Sequence, residues 1–232
     1  MLIIFYNESD NRLILKNQRQ KNGYQILEIN CTQWIRIFHH HSTKLFDKNK
    51  ERAKEQIFFI NEGALFSVLG YIDEKFQIDG VFNFLFHFPN DYPEDYFYFN
   101  QSSNPFTSTT VSHFSNKVIL DHCEYINKVE CKFTGLAIST SEYTYLDANS
   151  HSAYYWFSIG QNANYQNKIG SIPGPPCNDE NLGVSTTNLW MRILNNDMIR
   201  FLPFVDKCSI GRCNNINTMV FILPFVFVFI VL

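Results

Sequence analysis

The sequence carries little charge and has no excess of basic residues. Asp, Glu, Lys and Arg together make up only 18% of its 232 residues, and the formal net charge is −3. A nucleic-acid-binding protein with a broad basic face needs a surplus of Lys and Arg, because phosphate contacts dominate that affinity. We therefore expect no nucleic-acid partner.

The sequence also lacks the short motifs of common catalytic and metal sites. It has no G-x-S-x-G elbow, no H-E-x-x-H helix and no phosphate-binding glycine loop. Its six cysteines include no C-x-x-C pair, which argues against a zinc knuckle or redox motif, and most are expected to be buried thiols. We predict a non-catalytic protein without metal or cofactor. A hydrolase whose site is assembled from distant residues is the weaker alternative.

What the sequence has in quantity is aromatic residues, at 16% of the chain with 23 phenylalanines. Such a chain folds, and Phe and Tyr favour pleated surfaces. Short apolar segments separated by polar turns predict an all-β fold, an antiparallel β-sandwich or jelly roll. The predicted strands are "ALFSVLGYI", "VFNFLFHF", "DYFYFNQ", "NKVILDH", "CKFTGLAIST", "EYTYLD", "YYWFSIG" and "TTNLWMRIL".

A period of two predicts which face of each strand is buried. In "VFNFLFHF" the four phenylalanines share the core face, which leaves His87 on a wetter face. In "TTNLWMRIL" the inward residues are Leu189, Met191 and Ile193, whereas Asn188, Trp190 and Arg192 face the other way. In "WIRIF" the alternation places Trp34, Arg36 and Phe38 on one face of the strand, and it places Ile35 and Ile37 on the other. His39–His41 cannot point to one side of a strand, so they predict a solvated loop and not a metal site.

Composition divides the chain into five segments. Residues 1–41 predict a small β-rich extension, with a hairpin turn around Lys21-Asn22-Gly23. Residues 42–62 are highly charged and predict a short exposed helix or linker. The sandwich domain is expected over 63–195, followed by a juxtamembrane linker over 196–215 and a hydrophobic tail over 216–232.

The tail contains "MVFILPFVFVFIVL", which has no charged residue and predicts a membrane segment. It is either a retained transmembrane anchor or a signal replaced by a lipid anchor. We expect a membrane location, at the cell surface or on an endomembrane. The N-terminus lacks the features of a secretory signal, so either the protein is not secreted by that route or the chain start is incomplete. Asn7, Asn30 and Asn100 lie in N-x-S/T sequons and are candidate glycosylation sites.

The loops on either side of "YYWFSIG" predict a ligand site. They hold aromatic rings beside amide and carboxylate groups, which suit a glycan or a protein ligand. The candidate ligand-binding residues are Asp147, Asn149, His151, Tyr154, Trp156, Asn162, Asn164, Tyr165 and Trp190.

An ordered series of segments between residues 63 and 193 resembles a β-sandwich domain family of protist proteins. The family pattern includes N-x-W-x-Q-x-x-N-P, T-x-L-D-G, an aromatic strand ending in I-G, G-I-P-G-P and a final L-W-x-R-I. The matching segments are "YFYFNQSSNP", "TYLDANSHS", "YWFSIGQ", "GSIPGP" and "NLWMRI". Tyr98 or a neighbour stands in place of the tryptophan, and Ala148 in place of a glycine. The resemblance implies an architecture and no particular reaction.

These observations together predict a membrane-anchored, non-catalytic β-sandwich protein that recognises a glycan or a protein. An intracellular tail-anchored scaffold without a ligand site is the alternative from a different functional class.

Overall fold

The computed structural model describes residues 2–7, 12–21, 23–42, 46, 53–54, 65–117, 133–140, 144–147, 157–160, 172–173 and 183–203. Short 3-10 helices cover Leu69–Tyr71, Glu74–Phe76 and Asn196–Phe201. The strands are β1 (Leu2–Asn7), β2 (Arg12–Lys21), β3 (Tyr24–Ile29), β4 (Thr32–His41), β5 (Leu65–Ser67), β6 (Phe82–Phe88), β7 (Tyr92–Gln101), β8 (Ser115–Lys117), β9 (Ala137–Ile138), β10 (Leu146–Asp147), β11 (Ile172–Pro173), β12 (Gly183–Val184) and β13 (Thr186–Ile193).

Within this described part, nine strands form one antiparallel sheet, called the main sheet below. Its order is β1-β2-β3-β4-β13-β6-β7-β8, and β5 pairs with β4. One edge of β4 pairs with β13, and its other edge pairs first with β3 and then with β5. The described part of the chain is therefore mostly β with an antiparallel sheet, which is consistent with the predicted all-β class.

The N-terminal strands are built into the same sheet as the later ones, because β4 and β13 pair from Gln33 to His41. The hairpin predicted at Lys21-Asn22-Gly23 is confirmed. Lys21 faces Tyr24 across a two-residue turn, and Gly23 has the positive φ of 81° that such turns require.

A β-bulge in β4 changes the predicted alternation of "WIRIF". Leu189 faces Phe38 and Trp190 faces Arg36, so Ile37 is an extra residue in β4. Beyond the bulge, Phe38 joins Ile35 and Ile37 in the main hydrophobic core. The prediction that Phe38 shares a face with Trp34 is wrong because the bulge shifts the side-chain order by one position.

The prediction of a solvated loop at His39–His41 is also wrong. Strand β4 continues through His41 because β13 and β5 bind its two edges. His39 and His40 are buried and face opposite sides of the sheet. The His40 ring packs 5.1 Å from Phe46, whereas His39 Nδ1 hydrogen-bonds to Asn188 Oδ1 at 2.6 Å.

The core lies on the phenylalanine face of β6, as the period of two predicted. All four of its phenylalanines are buried, and each contributes about 1.5–3 kcal/mol of burial energy. Two aromatic residues from later segments cover this face. The Phe133 ring lies 4.8 Å from Phe99, and the Phe157 ring lies 5.6 Å from Phe86.

The segment "YYWFSIG" is described from Phe157 onward. Phe157 and Ile159 are both buried in the core, and Ile159 forms an antiparallel bridge with Leu146. Phe157 has a φ of 56°, a left-handed conformation that interrupts an extended strand. The prediction of one continuous strand is therefore wrong at Phe157.

The predicted charged linker touches the core at two described positions. Phe46 and Ala53 are buried, so the expectation of an exposed linker is wrong there. Ser67 Oγ donates hydrogen bonds to the carbonyls of Ala53 and Lys54, and the Gly70 amide also donates to the Lys54 carbonyl, at 3.0 Å.

Gln101, at the end of β7, fixes a neighbouring chain segment through its side-chain amide. Its Oε1 accepts a hydrogen bond from the Leu136 amide at 2.8 Å, and its Nε2 donates to the Leu136 carbonyl at 2.9 Å. This pair of bonds imitates a strand contact and holds the segment that contains Phe133 against the core.

The described residues include no helix long and apolar enough to cross a membrane. The predicted tail over 216–232 lies outside them, as do residues 204–215 of the predicted juxtamembrane linker.

Candidate functional site

The structure separates the two residues of the predicted loop site that it describes. Asp147 is buried in β10, next to Leu146 of the main core. Trp190 is buried on the opposite side of the main sheet, in a cluster of its own. The remaining predicted residues lie outside the described part of the chain: Asn149, His151, Tyr154, Trp156, Asn162, Asn164 and Tyr165.

Trp190 belongs to what we call the second face, the side of the main sheet opposite the phenylalanine core. Its buried centre is a cluster of Leu27, Trp34, Leu85 and Trp190. The half-buried hydrophobic residues that pack against this cluster are Ile29, Tyr96 and Tyr98, and all of them also lie on strands of the main sheet. Large side chains on this face therefore shield one another.

One row of polar and aromatic residues crosses the second face on four neighbouring strands. Asn188 of β13 faces both His39 and His87, and His87 faces Tyr96 of β7. The His87 and Tyr96 rings stack at 4.3 Å, and His87 Nε2 hydrogen-bonds to the Pro93 carbonyl at 3.1 Å. His87 does lie opposite the phenylalanines, but the prediction of a wetter face is wrong because these contacts leave it buried.

The next row contains Arg36, Trp190, Leu85 and Tyr98. Burial lowers the pKa of the Arg36 guanidinium to about 10, so it stays protonated at neutral pH. The second face thus has a positive charge beneath its aromatic surface.

Trp34 and Tyr98 meet above this row although two strands separate them. Strands lie ~4.8 Å apart and Trp34 is two residues along β4 from Arg36, so a flat sheet would hold the two Cα atoms about 16 Å apart. The rings are only 6.1 Å apart and meet edge to face. Both side chains therefore lean inward over the sheet, which explains why Trp190 is only 1% exposed.

Tyr96, Tyr98 and Asn100 of β7 are half-buried and lie beside the buried centre of the second face; they are called the tyrosine rim below. Tyr98 Oη donates a hydrogen bond to Asn83 Oδ1 at 2.7 Å. Asn100 Nδ2 in turn donates to Tyr98 Oη at 3.0 Å. The rim thus presents two aromatic rings, and neighbouring amides orient the hydroxyl group of one of them, Tyr98.

The tyrosine rim was missed in the sequence, although β7 contains a signal for it. In "YFYFN", the residues at even positions are Tyr96, Tyr98 and Asn100, and the alternate positions are Phe97 and Phe99. A strand with phenylalanine on one side and tyrosine on the other is typical of a sheet with one core face and one partly wet face. The sequence analysis predicted the ligand site in the loops around "YYWFSIG" instead.

A Ser–His contact lies elsewhere, in the loop after β7. Ser102 Oγ is 2.9 Å from His113 Nδ1, and His113 has a φ of 48°. His113 is exposed, and no carboxylate among the described residues hydrogen-bonds to it. A base that is neither oriented by an acid nor shielded from water lacks the usual arrangement for nucleophilic catalysis.

The described residues contain no group of three or more His, Cys, Asp or Glu side chains that could hold a metal ion. Cys31 is a free and exposed thiol because it sits in a hairpin turn, and the expectation that most of the six cysteines are buried stays a prediction. The other five cysteines lie outside the described part.

The chain matches no protein-family model, no curated protein and no solved structure.

Proposed function

We propose that the protein is a membrane-anchored, non-catalytic recognition protein that binds a glycan at the tyrosine rim of its second face. The observation that carries this proposal is the combination of two half-buried tyrosine rings with hydrogen-bond groups in one patch.

A sugar ring suits this patch on chemical grounds. A pyranose has an apolar C–H face that packs on an aromatic ring and hydroxyl groups that need donors and acceptors around its edge. The rim supplies the rings of Tyr96 and Tyr98, and Asn100 adds an amide beside them. The charge of Arg36 favours a neutral or acidic sugar over a basic ligand.

The rim is also held in place before any ligand arrives. His87 stacks beneath Tyr96, and Asn83 accepts the Tyr98 hydroxyl hydrogen bond. A site whose side chains are already ordered loses less conformational entropy on binding. The buried row behind the rim is thus a support for it, and the rim itself makes the contact.

The wider architecture belongs to the same proposal. The packing of Phe133 and Phe157 on the phenylalanine face supports a β-sandwich with a second layer over the main sheet. The apolar sequence over 216–232 supports anchoring in a membrane. The proposed orientation presents the sheet outside the cell or in the lumen, where glycans occur.

The proposal is tested with full-length protein in nanodiscs, titrated with mannotriose, chitotriose and cellotriose. We expect one of them to bind, and Tyr98→Ala to weaken that binding roughly tenfold, ~1.4 kcal/mol, the scale of an aromatic hot spot. Tyr98→Phe retains the ring and is expected to lose less. The matched control is Tyr71→Ala, because Tyr71 is an exposed tyrosine outside the second face. Equal affinities for the wild-type, Tyr98→Ala and Tyr71→Ala proteins, or no binding of any sugar, would contradict the proposal.

A further inference from the structure

We infer that Asn30 carries an N-linked glycan and that Asn100 does not. The inference rests on the proposed orientation, because N-glycans are added only to segments that enter the lumen.

Asn30 lies where a glycan fits without disturbing the fold. Ile29 faces Thr32, so Asn30 and Cys31 form the two-residue turn of the β3–β4 hairpin. Both residues are exposed, and their φ values of 48° and 62° are those of a type I′ turn. Surface loops of this kind are where N-glycans are found.

Asn100 lies where a glycan would disrupt existing contacts. Strand β7 pairs with β6 on one edge and with β8 on the other, and Asn100 takes part in both pairings. Its Nδ2 atom, to which a sugar would be attached, donates the hydrogen bond to Tyr98 Oη. Attachment there would replace one of the two hydrogens of this Nδ2 atom and place the sugar over the tyrosine rim.

A glycan on Asn30 would also protect an exposed apolar residue. Ile193 faces Gln33 in the main sheet, so the following residue, Leu194, extends beyond the sheet at the end where Thr32 begins β4. Leu194 is 64% exposed, the highest value among the large hydrophobic residues described. A core sugar at the neighbouring hairpin tip lies within reach of this side chain, because adjacent strands are only ~4.8 Å apart.

The test uses the full-length protein, with its tail, expressed in mammalian cells, and every protein compared carries Asn7→Gln so that the third sequon contributes no shift. Gel mobility is measured before and after peptide-N-glycosidase treatment. We expect a glycosidase-sensitive shift that is lost in Asn30→Gln and Thr32→Ala but unchanged in Asn100→Gln. Thr32→Ser is the matched control, because it changes the same residue and keeps the sequon. Protease digestion of sealed microsomes is run in parallel to report the orientation of the domain.

The outcomes separate the inference from the proposed function. A protected domain with the shift lost only in Asn30→Gln and Thr32→Ala supports both. A protected domain whose shift survives Asn30→Gln, or is lost in Asn100→Gln, overturns the inference and leaves the proposed orientation intact. A domain that is digested and carries no glycan overturns both.

Discussion

Replacing Gly160 by alanine tests the packing of the segment that covers the phenylalanine core. Gly160 has a φ of 71°, and a Cβ atom there would overlap the Ala53 side chain and lie 2.9 Å from Tyr145 Cβ. The left-handed backbone costs an L-residue about 1–2 kcal/mol, and overpacking a tight site adds about 1–3 kcal/mol. We therefore expect Gly160→Ala to lower the free energy of unfolding by roughly 2–5 kcal/mol.

Gly80 provides a matched control for the backbone effect. Its φ of 78° is close to that of Gly160, but no atom lies within 4 Å of a Cβ placed there. Gly80→Ala should lower the free energy of unfolding only by the cost of the left-handed backbone, about 1–2 kcal/mol. The difference between the two variants isolates the steric overlap with Ala53 and Tyr145.

The assay is urea unfolding of the full-length protein in detergent, followed by near-ultraviolet circular dichroism. For a chain of this size, each kcal/mol is also expected to move the melting temperature by about 2–4 °C. Equal destabilisation by Gly160→Ala and Gly80→Ala would refute the packing of residues 157–160 against Ala53 and Tyr145.

Three further predictions concern stability and use the same urea assay. Gln101→Ala should lower the free energy of unfolding by about 2–4 kcal/mol, because it leaves both buried backbone groups of Leu136 without their partner. The control Gln77→Ala removes one half-buried hydrogen bond and should lower it by about 1 kcal/mol. Cys31→Gly should stabilise the protein by about 0.5–1 kcal/mol, because glycine adopts its positive φ without strain, and a loss of stability would refute this. Burial, and to a smaller extent Tyr71, raises the pKa of Tyr24. The neutral Tyr24 hydroxyl therefore makes its full contribution to folding stability below about pH 10, and this contribution is lost as the pH rises further. The stability advantage over Tyr24→Phe should therefore shrink between pH 8 and pH 11, and a constant difference would contradict it.

The strand faces could be predicted wherever pairing is regular. In β6 and β13 the period of two alone assigns the core residues, because these two strands pair with each other without a register shift. The bulge at Ile37 could not be predicted, since it depends on how β4 aligns with β13. The burial of His39 and His40 depends on the same partner strands, which are distant in sequence.

The sequence predicted which residue types form the candidate site but not where in the fold they meet. Aromatic and amide side chains were expected to meet in the loops around the strand of Phe157. The described geometry groups such side chains on the second face, where β7 brings Tyr96 and Tyr98 beside residues of β6 and β13. That grouping follows from strand order, and strand order is set by contacts between distant segments that a local pattern does not encode.

The most direct test of the central claim is a hydroxyl-radical footprint of the full-length protein, with and without the trisaccharide that binds best. If the tyrosine rim is the ligand surface, Tyr96 and Tyr98 lose reactivity when the sugar is bound, and Tyr71 does not change. Protection confined to residues 148–156 and 161–171, with Tyr96 and Tyr98 unaffected, would contradict the claim and return the ligand site to the loops.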